Sequence, residues 1–409
     1  MKFKDFFSFK LPEIDISSLI LVFLLTGAGL IAIYSATSFV GTEANMQYFW
    51  KQIIGIAGGL AMFIMLYSVR KSFLLSYAEI LYIVGIVLII IPFILSMVTS
   101  GTNRWINLGA FQIQPSEYMK FILIIMLAKV FSETRRSPLQ AGYVLYPLGI
   151  LVIPAVLVFL QPDLGTTLIY FAIFAGMLFA SGYKIYYIFL IIAPFITILA
   201  AFNSWVFLVW GIVAAVIIFL NNKNILFSAG MFLMNILVGV MTPFFWNAIK
   251  PYQQQRILTM LNPHLDPMGA GYQVIQSRIA IGSGGFHGKG FMQGTQAHLN
   301  FLPEQHTDFI FSVISEEFGF IGITLILFIY CFLILRWYRM AISAKSTFSA
   351  MLIIGGTTAL LAHIFINVGM TVGLLPVTGK PLPFISYGGS FLMTAFGLVG
   401  LVLNGNAEK

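Results

Sequence analysis

The chain has 409 residues, 59% of them hydrophobic and only 9% charged, with a mean hydropathy of +0.95. Soluble proteins carry about 25% charged residues, so a soluble enzyme, a disordered scaffold and a nucleic-acid-binding domain are excluded. The net charge of +8 comes from lysines and arginines scattered at the ends of apolar runs, the pattern of a membrane protein and not a basic patch for nucleic acid.

A helix needs about 20 apolar residues to cross the hydrocarbon core, and segments in lipid must satisfy their own backbone groups. The basic, aromatic start Met1–Lys10 leads into an apolar run at 19–39 without a small-residue cleavage site, which predicts a retained first helix. Further spans are predicted at 50–68, 73–97, 117–131, 143–160, 165–181, 184–202, 205–220, 225–246, 308–336, 348–373 and 386–404. The expected fold is thus an all-α polytopic membrane protein with about 12 transmembrane helices in one domain, 1–409. The nearly continuous apolar run 184–246 divides least cleanly.

Lys2, Lys4, Lys10, Arg70, Lys71, Lys129, Arg135, Arg136, Arg336 and Arg339 fall on one side of these spans, predicting both termini inside. Three polar segments then share the outer face: Val98–Ser116, the large extracytoplasmic loop 247–307, and Leu374–Ile385. Asp163, in the turn Gln161–Gly165, joins them. Loops beyond about 15 residues are usually functional, so the 61-residue stretch 247–307 is where chemistry is sought.

Within that stretch, Ile281–Gly290 (IGSGGFHGKG) matches neither a phosphate-loop nor a dinucleotide pattern. It is read either as backbone that approaches a ligand closely or as a re-entrant turn. His264, His287, His298 and His306 have no metal-site spacing, and the single Cys331 offers neither an internal disulfide nor a cysteine metal site. Glu117 and Lys120 lie three apart on the fourth span and can pair on one helix face, either as a structural ion pair or as a functional one. Pro115-Ser116 suits the start of that helix. Glu316 and Glu317 enter the tenth span about 100° apart. Asp266, the only carboxylate between Asp163 and Glu304, reads by itself as a turn residue before Pro267.

Four segments together resemble the SEDS family, the RodA/FtsW/SpoVE polymerases of the bacterial cell wall. They are Asn103–Lys120, Gln161–Thr166, Asn262–Phe318 and Asn367–Ser390. Gly294–Phe311 resembles the elongation member RodA more than the division member FtsW. The resemblance implies a peptidoglycan glycosyltransferase that polymerises lipid II into β-1,4 glycan strands at the outer face of the bacterial plasma (inner) membrane. It implies a class B penicillin-binding protein, a transpeptidase, as partner within the elongation complex, touching late spans, here 308–336 and 348–373.

The family's essential aspartate falls on Asp266, which becomes the expected general base of an inverting displacement. Its other motif residues fall on Arg104, Trp105, Glu117 and Lys120. Arg104 and Lys120 are the expected cations for the leaving diphosphate, with Arg278 and Lys289 in reserve. A divalent cation, Mg²⁺ or Mn²⁺, held by Asp266 or Glu117, is expected to share that task, and no organic cofactor is. Relatives typically have ten spans, so the surplus is read as a hairpin inserted within 184–246. Asn262 and Lys380 depart from the family pattern, Lys380 standing where an apolar residue is usual. The competing expectation is a lipid II flippase, which would place polar residues near the membrane midplane.

Overall fold

The computed structural model describes residues 14–38, 43–98, 104–108, 111–133, 142–221, 224–248, 254–256, 258–259, 262–263, 269–298 and 304–407. In chain order come α1 (Ile16–Ser38), α2 (Glu43–Ser68), α3 (Lys71–Val98), β1 (Ile106–Leu108), β2 (Phe111–Ile113), α4 (Pro115–Glu133), α5 (Gly142–Leu160) and α6 (Leu164–Ala180). They are followed by α7 (Ile185–Ala200), α8 (Ser204–Asn221), α9 (Ile225–Ala248), α10 (Ala270–Ser283) and the short α11 (Thr295–His298). The chain ends with α12 (Ile310–Ile342), α13 (Thr347–Thr371) and α14 (Gly389–Asn406). Among the described residues, eight helices are long and apolar enough to cross a membrane, and Val144–Leu160, Leu164–Ala180 and Ile185–Ala200 are shorter apolar helices. The run 184–246 resolves into α7, α8 and α9, as its apolar segments predict.

The most apolar stretch of α13 is 72% buried and that of α14 is 78% buried, against 11% for α8. The last two helices are therefore the axis of the bundle, and α8 faces lipid. α14 runs along α2 in the most extensive helix contact. Gly400 makes this possible, because a methyl group there would stand 2.6 Å from the Phe63 carbonyl oxygen. α7, α8 and α9 pack on one another around Thr197, which donates to Asn235 Oδ1 at 2.9 Å and accepts from Trp210 Nε1 at 2.8 Å.

The ends of the helices sort as the charge pattern predicts. Asp15, ahead of α1, pairs with Arg336 near the end of α12. Lys71, at the start of α3, donates to the Gly405 and Ala407 carbonyls at 2.9 and 2.6 Å. The beginning of α1 and the end of α14 therefore lie with the basic end of the bundle.

At the opposite end the polar segments carry secondary structure of their own. Part of Val98–Ser116 forms an antiparallel hairpin in which Ile106 faces Ile113 and Leu108 faces Phe111. The large loop 247–307 likewise contains helix α10, fixed by Ser277, which donates to the Thr371 carbonyl at 2.7 Å.

α12 is broken at Gly319, whose φ of 63° and ψ of −160° interrupt the helix. Such a break frees backbone groups that must find partners. The glycine-rich segment supplies them. Lys289 and Gly290 N–H donate to the Glu316 and Glu317 carbonyls at 2.9 and 3.0 Å, while Phe320 and Ile321 N–H donate to Gly285 and Phe286 at 3.0 and 3.2 Å. Gly288 is pressed so closely on Glu317 that a side chain would collide with its backbone. The glycines thus let one backbone lie against another, and no ligand is needed to explain them.

A buried charged pocket at the outer end of the bundle

α4 begins at Pro115, where the missing N–H costs nothing, so Glu117 and Lys120 face the bundle interior one turn apart. Lys120 Nζ lies 2.5 Å from Glu117 Oε2 and 2.8 Å from His363 Nε2 of α13. All three residues are fully or almost fully buried. The i, i+3 pairing expected from the sequence is present.

Asp163 caps α6. It accepts from Thr166 N–H at 3.1 Å, from Thr166 Oγ1 at 2.8 Å and from Gln114 Nε2 at 2.7 Å. Lys380 enters from the segment between α13 and α14 and reaches Thr166 Oγ1 at 2.5 Å, Asp163 at 3.1 Å and Glu117 Oε1 at 3.4 Å. That segment is fastened by Asn367 Nδ2, which donates to the Asp308 and Lys380 carbonyls at 2.9 and 2.7 Å. Burial opposes the charge on Asp163, but Lys380, the Thr166 N–H and Arg104 outweigh it and hold the carboxyl below its ordinary value.

Arg104 stands behind this turn. Its Nε donates to the Gln161 carbonyl at 2.6 Å and its terminal nitrogen to the Pro162 carbonyl. Its visible work is to hold the loop that presents Asp163. Trp105 is half-buried beside it. Arg278 lies exposed on α10, its stem near Gly373. Lys289 is engaged elsewhere, 2.5 Å from Glu316 and 2.8 Å from Thr295 Oγ1. Asp266 and His264 lie outside the described residues.

Asp308 lies near Lys380, beside Gly379. Burial first, and Glu304 second, push its carboxyl up to about 6. His306 packs against Tyr48 with ring centres 4.4 Å apart and planes tilted by 41°, and burial pushes its imidazole down.

The pocket therefore gathers Arg104, Lys120 and Lys380 about two carboxylates, Glu117 and Asp163. Glu117 does not fit a metal ligand, because each of its oxygens is taken by an ammonium group. Among the described residues no cluster of three His, Cys, Asp or Glu side chains suits a metal ion. Lys120 keeps one proton without a partner among the described residues, and the Phe391 ring lies 5.6 Å away. Ser116 Oγ, His363 Nδ1 and Asn367 Oδ1 are also buried without partners. Buried polar atoms of this kind are costly unless something else satisfies them. The remaining Lys120 N–H is a cationic donor that suits an anionic ligand atom, and Asn367 Oδ1, an acceptor, calls for a donor of its own.

The sequence singled out Glu117, Lys120 and Arg104 but not Asp163, His363 or Lys380 as members of one site. Asp163 carried a signal, an aspartate three residues before Thr166 at a helix start. His363 carried only its isolation among apolar neighbours, and Lys380 only its departure from a usually apolar position of the family pattern.

The fold and the site define a polytopic helical membrane protein with a buried cluster of charges at one end of its bundle. The chain belongs to the FtsW/RodA/SpoVE family of cell cycle proteins, whose model matches residues 16–209 and 203–409. It is 34% identical to peptidoglycan glycosyltransferase MrdB of Escherichia coli (strain K12) over 385 residues, covering 93% of this chain and 90% of that one. Stage V sporulation protein E of Bacillus subtilis is 33% identical, with 95% and 96% covered. Among solved structures, a chain of a peptidoglycan synthase complex that coordinates polymerization and crosslinking superposes with a TM-score of 0.69 at 27% identity, covering 96% and 97%. Rod shape determining protein RodA of Thermus thermophilus shares the fold, with a TM-score of 0.61 at 21% identity over 96% of each chain.

Proposed function

We propose that this chain is a peptidoglycan glycosyltransferase of the bacterial inner membrane, polymerising lipid II for cell wall elongation. The observation that carries the proposal is the buried charge cluster in which Lys120, paired with Glu117 and His363, retains a proton without a partner among the described residues. The 34% identity to peptidoglycan glycosyltransferase MrdB supports it.

In the reaction, the 4-hydroxyl of one lipid-linked sugar attacks the anomeric carbon of another, and the polyprenyl diphosphate departs. An α-linked donor gives a β-1,4 product, so a single displacement with one general base suffices. Asp266 is that base, and partial burial of its loop would raise its basicity. Lys120 offers its free proton to the departing diphosphate, where preorganised positive charge lowers the barrier. Arg104 contributes charge from behind the Asp163 turn. Mg²⁺ or Mn²⁺, when bound, would supply further positive charge to the site, with Asp266 as its protein ligand because Glu117 is already committed. The helices hold both isoprenoid tails in register, and alignment of that kind supplies roughly 7–11 kcal/mol.

The partner is a class B penicillin-binding protein within the elongation complex, seated on late helices. The likeness to a chain of a peptidoglycan synthase complex supports a partner of this kind.

A second reading, a lipid II flippase, draws on depth. Lys120 is five residues into α4, about 7.5 Å below its start, and His363 lies deeper than the outer-edge cluster expected from sequence. Reconstitution with purified lipid II and the partner separates the two. Glycan strands support the polymerase, whereas flipping without polymer would replace it with the transporter.

A further inference from the structure

Lys380 is placed unlike an ordinary buried lysine. Its segment dips into the bundle, where Gln52 Nε2 donates to the Ser386 carbonyl at 3.1 Å and Tyr330 donates to the Pro383 carbonyl. All three ammonium protons find acceptors, in Thr166, Asp163 and Glu117. The aliphatic stem crosses Gly165 so closely that a methyl group there would stand 2.5 Å from Cγ and 2.6 Å from Cε. Room for this lysine is thus built into α6.

Glu117 is shared: one oxygen meets Lys380 and the other Lys120. Without Lys380, Lys120 would be the only ammonium in direct contact with either carboxylate, because Arg104 acts on Asp163 from behind the turn with its N–H groups on the Gln161 and Pro162 carbonyls. A buried site disfavours that loss of pairing, so an acid would take up a proton or both would draw on Lys120.

We propose that Lys380 is a positioning residue that neutralises Glu117 and Asp163 together, leaving Lys120 with a proton free for an anionic ligand. The inference rests on the glycosyltransferase reading. The charged and titratable groups facing Lys380 are Glu117 and Lys120 on α4, Asp163 ahead of α6, with Arg104 behind its turn, His363 on α13 and Asp308 ahead of α12. Lys380 alone bridges Asp163 and Glu117 among the described residues.

The test is the rate of glycan formation from lipid II by reconstituted wild type, K380M, K380R and G165A, from mildly acidic to mildly alkaline pH, with melting temperatures recorded. K380M should lose at least about tenfold in rate at neutral pH, with the deficit widening as pH rises and the unneutralised acid ionises. K380R should restore most of the rate and the wild-type pH profile. G165A, which crowds the stem while keeping the charge, should show the same pH-dependent deficit in weaker form. It carries the test alone if K380M does not fold. The inference is overturned if K380M or G165A matches wild type in rate and profile, or if K380M loses activity uniformly with pH and K380R gives no rescue. A wild type that makes no glycan overturns the glycosyltransferase reading, and this inference with it.

Discussion

Glu316 offers a sharp test of how the outer loop is anchored. Its carboxylate is fully buried. It accepts from Lys289 Nζ at 2.5 Å, from Thr295 N–H and Oγ1 at 2.9 Å each, and from Gln296 N–H at 3.1 Å. Glu316→Ala removes all of these at once. Hydrogen bonds to a charged group contribute about 1.5–3 kcal/mol each, but these share one carboxylate and do not add. Removing one partner of a buried ion pair sets the scale, about 3–5 kcal/mol.

The loss should stay local, because Lys289 and Gly290 N–H still bond the backbone carbonyls of residues 316 and 317. Hydrogen exchange resolved by residue measures this directly. Thr295 and Gln296 amides should exchange at least about a hundredfold faster in the variant, the equivalent of about 3 kcal/mol of local opening, while Lys289 and Gly290 keep their protection. Unchanged exchange at Thr295 and Gln296, or equal loss across the whole segment, would refute the anchoring argument.

Two other outcomes follow from the pocket and its rim. Lys120→Ala strands Glu117 Oε2 and His363 Nε2, and polymerisation turnover should fall by at least about tenfold, more than the amount of folded protein falls; unchanged turnover would make the pair purely structural. Asp308, held at about 6 against an ordinary 3.8, binds more protons folded than unfolded between those values. Stability from this group is therefore lost as pH rises through that window. Asp308→Asn should raise the melting temperature at mildly alkaline pH, and the gain should vanish below the ordinary carboxylate value; a gain independent of pH would contradict the burial argument.

Much of this architecture is written in local patterns. Apolar runs placed the long helices to within seven residues at their ends, including the division of 184–246 into α7, α8 and α9, because each run must satisfy its own backbone in lipid. The spacing of Glu117 and Lys120 sufficed for their pairing, since three residues separate neighbours on one helix face. Glu316 and Glu317 diverge as adjacent helix positions must, one toward Lys289 and the other toward Ser35 of α1.

What stayed hidden depends on contacts between distant segments. Lys380 meets Asp163 across 217 positions and Glu117 across 263, separations that no local pattern encodes. The glycine-rich segment was ambiguous for the same reason. Its partner is a break at Gly319, and only the folded chain brings Gly285–Gly290 against it. The hairpin of Ile106–Leu108 with Phe111–Ile113 is too short for a period-two signal to stand out.

The chemistry assigned to the outer face is tested most directly by one comparison: glycan formation from lipid II by wild type and by Asp266→Asn, each reconstituted with the transpeptidase partner. Loss of a general base should slow polymerisation by about a hundredfold or more, with folding and partner binding unchanged. A variant that builds strands at the wild-type rate contradicts the assignment of Asp266 as the base.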